Sequence, residues 1–95
     1  MFIVLLKFSQ NKPQARQFME SHNAWLQRGF DDGVFLLAGS LQPAQGGAIL
    51  AHNVTLAELE SRVNADPFVQ EDVVRSEILE ITPSKAGEHM KFLLA

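Results

Sequence analysis

The order of apolar runs along these 95 residues predicts an α+β domain of βαββαβ plan. Three observations carry that reading. Four short runs rich in branched and aromatic residues have the length of strands. Two stretches between them repeat apolar residues every three or four positions, the spacing of a helix with one buried side. Turn-forming residues separate the elements, at Asp31-Asp32-Gly33, Gln42 to Gly47 and Asp66-Pro67.

Phe2 to Phe8 make the first strand. It is apolar at nearly every position, so both of its faces require cover. Ser9 to Pro13 is a turn, and Pro13 suits a helix's first turn, where its missing N–H is not needed. Ala15, Phe18, Met19, His22, Trp25, Leu26 and Gly29 then mark one stripe of helix one. Arg16, Gln17, Glu20, Asn23 and Gln27 fall mostly off that stripe. Val34 to Leu41 is the second strand, again apolar on both faces. Gln42 to Gly47 is a loop, and Ala48 to His52 the third strand. The loop is short enough for a hairpin.

Thr55-Leu56-Ala57-Glu58 has the form of a capping box, in which the hydroxyl caps the helix and the Glu reaches back. Leu56, Leu59 and Val63 are the expected buried stripe of helix two. Asp66-Pro67 restarts a short helical turn. Val73 to Ile81 is the fourth strand, ended by Pro83. Ser84 to Ala95 reads as a tail with a short helix carrying Met90, Phe92, Leu93 and Leu94. The organisation is thus one domain over residues 1–83 and a C-terminal extension over 84–95.

A βαββαβ order is that of the ferredoxin-like split βαβ fold, an antiparallel four-stranded sheet with two helices on one face. The helices cover one face only, yet strands one and two are apolar on both. An exposed apolar face of that size marks an interface, and symmetric pairs dominate oligomers. The expectation is a homodimer packed sheet to sheet.

Composition narrows the function. Apolar residues are 46% and charged residues 20%, which is ordinary globular composition. A chain this short buries only about two-thirds of its unfolded surface, so it gains from a partner. The net charge is −3 and the eight Lys and Arg are scattered, which argues against a nucleic-acid surface. There is no cysteine, so disulfides, thiol nucleophiles and thiolate metal sites are excluded, and a cytoplasmic location is expected. Phe2 to Leu6 is too short for a membrane span and lacks the basic flank and cleavage site of a leader. No membrane partner is expected.

Few residues are left to carry chemistry. His22 lies on the apolar stripe of helix one, and Asp66 opens the turn after helix two. Each has a structural reading: a core histidine satisfied by one hydrogen bond, and a carboxylate capping free N–H groups before Pro67. Each also has a chemical one. Imidazole titrates near neutrality, at about 6.5, and a carboxylate both orients and tunes it, so the two together form a proton-transfer pair. Capping and orienting are compatible, since a carboxylate held by backbone N–H groups is rigid. Ser40 follows Gly39 without a nucleophile elbow around it, and reads as a strand-end serine lining a pocket. Gly46-Gly47 lacks the spacing of a dinucleotide fingerprint. His52 and His89 have ligand spacing to nothing, so no metal or other cofactor is expected. Arg75, in strand four, is either a dimer salt bridge or an anchor for an anionic substrate.

The ordered set of motifs resembles one family. It runs from Met1-Phe2-Ile3-Val4 through His22, Asp32-Gly33, Leu37-Ala38-Gly39-Ser40-Leu41, Gly46-Gly47 and Thr55-Leu56-Ala57-Glu58 to Asp66-Pro67-Phe68-Val69 and Val73-Val74. This is similar to the YciI-like, or YCII-related, family of the dimeric α/β-barrel group, over about Met1 to Pro83. The resemblance implies a ferredoxin-like protomer, a face-to-face dimer and a pocket flanked by His22 and Asp66 as a dyad. It implies dehydrochlorinase-like or muconolactone-isomerase-like chemistry. Two departures are visible: Gly39-Ser40 stands where Gly-Pro is frequent, and the chain continues past Pro83. The combined expectation is a small cofactor-independent lyase or isomerase acting on an oxygenated ring. His22 would take the proton and Asp66 would hold His22 in place. Ser40 and Arg75 would position substrate oxygens, and Trp25, Phe35 and Leu37 would form the walls. The alternative is a non-catalytic dimeric module that binds a small ligand or serves structure.

Overall fold

A computed structural model describes residues 1–94; of the expected tail, Ala95 lies outside the described residues. Four strands form one antiparallel sheet: β1 (Phe2–Phe8), β2 (Phe35–Leu41), β3 (Gly46–Ala51) and β4 (Val74–Glu80), in spatial order β2-β3-β1-β4. Helix α1 (Ala15–Asp31) follows β1, and α2 (Leu56–Asn64) and the single turn α3 (Pro67–Gln70) follow β3. The architecture is the expected α+β, ferredoxin-like sheet with its helices. Pro13 sits in a 3-10 turn over Lys12–Gln14 that leads into α1.

The register decides which side chains face the helices. Val4 pairs with Ile49 on one side and Ile78 on the other. Directly paired residues share a face, so alternation puts Phe2, Val4 and Leu6 beneath the helices and Ile3, Leu5 and Lys7 on the opposite face. Phe2, Val4 and Leu6 are buried accordingly, with Ile49, Ala51, Leu59, Val63 and Phe68. Leu59 has no exposed surface, and truncating such a residue to Ala costs about 2–5 kcal/mol. Trp25 donates its Nε1–H to the Arg62 carbonyl at 2.9 Å, tying α1 to the end of α2. Gly29 lets Phe35 press against α1, because a Cβ there would overlap the Phe35 ring.

Several boundaries differ from the sequence reading. β3 begins at Gly46, two residues early, and the hairpin loop is Gln42 to Gln45. Gly46 can join the strand because it has φ +125° and no Cβ, where a side chain would strike the Leu6 carbonyl. Leu56 is exposed, so the buried stripe of α2 is Leu59 and Val63. The tail helix over Glu88–Leu94 is 3-10 and leaves Met90, Phe92 and Leu94 exposed. Its Phe92 meets His52 edge-on at 5.6 Å.

The most consequential difference is a bulge. The β2–β3 register runs Phe35↔Ala51 and then Leu37↔Leu50, so Leu36 is the extra residue. A bulge shifts the alternation by one. Before it, Phe35 faces the core. After it, Ala38 and Ser40 face the helices while Leu37 points to the open face, where it is 59% exposed. That face also carries Ile3, Leu5, Ala48, Leu50 and Leu79. No helix of the described residues is long and apolar enough to cross a membrane.

Candidate active site

Two elements that are distant in sequence and adjacent in space build the site. α1 packs against α3. From the middle of α1, His22 reaches Asp66, the N-cap of α3, and the ring Nδ1 lies 2.8 Å from Asp66 Oδ1. Pro67 starts α3 and has no N–H of its own to satisfy, and the N–H groups that follow it in the first turn face Asp66. The Phe68 N–H donates to the same Oδ1 at 3.0 Å. The Asp66 carbonyl also accepts the Val69 and Gln70 N–H groups, each at 2.9 Å. The carboxylate is therefore fixed by its own helix before it meets the histidine. Its other oxygen, Oδ2, is buried with no hydrogen-bond partner among the described residues.

An acceptor carboxylate at Nδ1 selects the tautomer in which Nδ1–H donates and Nε2 keeps its lone pair. The ring is also clamped flat. Phe68 stacks on it at 4.0 Å and 4° between planes, and Trp25 lies 5.7 Å away at 29°. The His22 side chain is 13% exposed while Asp66 is wholly buried. Asp66 thus stands behind the ring and His22 stands at the surface of the site. Such an arrangement can accept a proton at Nε2 and stabilise the imidazolium that forms.

That surface belongs to a cavity of about 310 Å³ between α1 and the helix-facing side of β1, β2 and β3. A small ring fits a space of this size. His22, Asn23 and Ser40 are its lining residues with polar side chains. Its apolar walls include Leu6, Phe8, Met19, Leu26, Ile49 and Phe68. Gly46 and Gly47 contribute backbone only. Among the described residues no cluster of His, Asp and Glu could hold a metal ion.

The residues singled out from sequence divide cleanly. His22 and Ser40 line the cavity, and Asp66 lies buried behind His22. Trp25 and Phe35 lie in the core behind His22, ring against ring at 5.4 Å, and are not on the cavity wall. Leu37 lines a shallower hollow of about 230 Å³ on the β2–β3 surface, because the bulge turns it outward. Arg75 is 72% exposed, lies on the open face by strand parity, and pairs loosely with Asp72 at 3.9 Å. Asn23 was missed, since it falls off the apolar stripe, and only its adjacency to His22 could have drawn notice. Phe68 was in plain view within the Asp-Pro-Phe motif, but its stacking on His22 has no sequence signature.

Residues 1–83 match the YCII-related domain family. No curated protein matches the chain. Among solved structures, the chain is similar to the 5-chloro-2-hydroxyhydroquinone dehydrochlorinase TftG of Burkholderia phenoliruptrix AC1100, in its complex with 2,5-dihydroxybenzoquinone. The TM-score is 0.69 at 15% identity, covering 94% of this chain and 98% of that one. At that identity the likeness shows a common fold.

Proposed function

The chain belongs to the YCII-related domain family, and from that premise we propose that it is a small cofactor-independent lyase or isomerase acting on an oxygenated ring. One observation carries the reading: Nδ1 of His22 is bonded to Asp66 at 2.8 Å, which leaves Nε2 for a cavity of ring size. The fold shared with a dehydrochlorinase whose structure holds 2,5-dihydroxybenzoquinone supports an oxygenated ring, though not its charge, by analogy.

In this mechanism His22 Nε2 takes a proton from a carbon or hydroxyl of the bound ring, and Asp66 stabilises the imidazolium. For a lyase, the released electron pair forms a new double bond and the leaving group departs with its bonding electrons. For an isomerase, His22 returns the proton to a different carbon. Ser40 and Asn23 hold ring oxygens. Trp25 and Phe35 act indirectly, by fixing the floor on which the imidazole rests.

His22→Ala tests this. Removing a general base lowers turnover by roughly a hundred- to ten-thousand-fold. Asp66→Asn should cost less, since its amide oxygen still accepts the Phe68 N–H but does not stabilise imidazolium. Unchanged turnover in His22→Ala would exclude the mechanism. A second reading has its own observation in favour: Asp66 already has a structural task as the α3 cap. In that reading the protein is a binding module that captures a small ring without converting it. Tight binding with no turnover by wild-type protein would decide for it.

The active unit in this proposal is a homodimer of the 1–83 domain, joined through the open sheet face, with 84–95 as an appended tail. Leu37 and Leu79, 59% and 42% exposed, lie on that face with Ile3, Leu5 and Leu50. Sedimentation at micromolar concentration should give twice the chain mass. Leu37→Glu should return it to the monomer mass, because a charge buried without a partner costs several kcal/mol. A wild-type monomer under these conditions would remove the dimer from the proposal.

A further inference from the structure

We propose that the cavity selects rings without formal charge, and that Asn23 and Ser40, in place of any cation, hold the oxygens of the substrate. The inference rests on the reading of the cavity as the substrate site. It extends that reading from a shape to a charge class.

The lining carries the argument. Its polar side chains are an imidazole, an amide and a hydroxyl, and no lysine or arginine is among them. Arg75, the cation expected to anchor an anion, is on the far face of the sheet. Lys7 shares that face, opposite Arg75 in the register. Lys12 places its ammonium 4.6 Å from the Phe8 ring centre, yet is not itself a lining residue.

A carboxylate or phosphate entering this space would lose hydration and meet no lysine or arginine on the lining itself. The dyad does not change that. Behind its imidazole stands the carboxyl group of the wholly buried Asp66, 2.8 Å from Nδ1, so the dyad adds no lysine or arginine to the wall. A hydroxyl, carbonyl or amide suffers neither penalty. It finds a hydroxyl at Ser40, an amide with both donor and acceptor at Asn23, and Nε2 at His22. Asn23 and His22 both line the cavity, so one ligand ring can meet the amide and the imidazole together. Asn23 is a binding residue that discriminates by charge.

Two probes of one shape test this: 4-hydroxybenzamide, which is neutral, and 4-hydroxybenzoate, which is anionic. Binding is followed by calorimetry and by the fluorescence of Trp25, the only tryptophan, whose ring is 5.7 Å from His22. The neutral probe should bind wild-type protein at least about tenfold more tightly than the anion. Asn23→Lys, a change at an exposed helix position, should abolish or reverse that preference. Equal or tighter binding of the benzoate by wild type, or binding of neither probe, would overturn the proposal. An unchanged preference in Asn23→Lys would overturn the role given to Asn23. Tight binding of the neutral probe by a protein that turns over no ring substrate would defeat the enzymatic reading and leave the charge selectivity standing.

Discussion

Two helices begin close together after β3, and each begins with a side-chain oxygen, but the two caps are built in opposite ways. At α2 the cap is reciprocal and open to water. Thr55 Oγ1 accepts the Glu58 N–H at 3.1 Å, and the Thr55 N–H donates to Glu58 Oε1 at 2.9 Å. Each partner satisfies the other and nothing else is involved. At α3 the cap is buried and shared. Asp66 serves the Phe68 N–H and the His22 ring from one oxygen, and its other oxygen is buried without a partner among the described residues. A cap needs no burial, and an unpaired buried oxygen destabilises the fold. The contrast separates a cap that serves only its helix from one that carries a further load.

The comparison breaks most sharply at Asp66→Ala. That change removes the α3 cap and leaves a partly buried imidazole N–H with no acceptor, so unfolding free energy should fall by about 2–4 kcal/mol. Thr55→Ala removes an exposed cap and should cost only about 1 kcal/mol. Chemical denaturation of the two variants gives both values, and equal losses would dissolve the distinction drawn here. The smallest effect concerns acid. Hydrogen bonds from the Thr55 backbone, and then from its hydroxyl, hold the Glu58 carboxyl below the ordinary value of 4.5. A carboxyl lowered in the folded state stabilises it fully above the unfolded value. That contribution is lost as pH falls through the folded value. The melting difference between wild type and Glu58→Gln should therefore be constant from neutrality down to about pH 5.5 and change only below about 4.5. A difference independent of pH across that whole span would mean that the capping box is not formed in solution.

Legibility from sequence followed the kind of physics involved. Element order and type were readable because period and turn residues are local properties, as the capping box at Thr55-Leu56-Ala57-Glu58 illustrates. His22 and Asp66 were readable as candidates because each is a polar group where the local pattern asks for something else. The cavity walls were not readable. Phe35 and Leu37 are two residues apart in a strand, which by simple alternation gives them one face. The bulge at Leu36 separates them, sending Phe35 to the core and Leu37 to the open side. Nothing in Val34 to Leu41 announces that bulge, because it is set by pairing with β3. Trp25 was misplaced for a related reason. The stripe of α1 is wide enough to serve both core and cavity, and only tertiary packing divides Trp25 and Gly29 from Met19 and Leu26.

The neighbouring glycines of β3 differ in what they permit. Gly46 is held by its backbone: its φ of +125° and the nearby Leu6 carbonyl forbid any side chain, so that position is closed to variation whatever the ligand. Gly47 has no such conformational bar. A Cβ there would come within 3.3 Å of the Gly39 carbonyl, a tight contact that a shift of a few tenths of an ångström relieves. By register Gly47 lies opposite Leu6 and Ser40, on the cavity floor. A methyl group at residue 47 would therefore occupy space at the cavity floor that glycine leaves open. A lineage exploring smaller ligands would find an accessible step in Gly47→Ala, with His22 on α1 untouched.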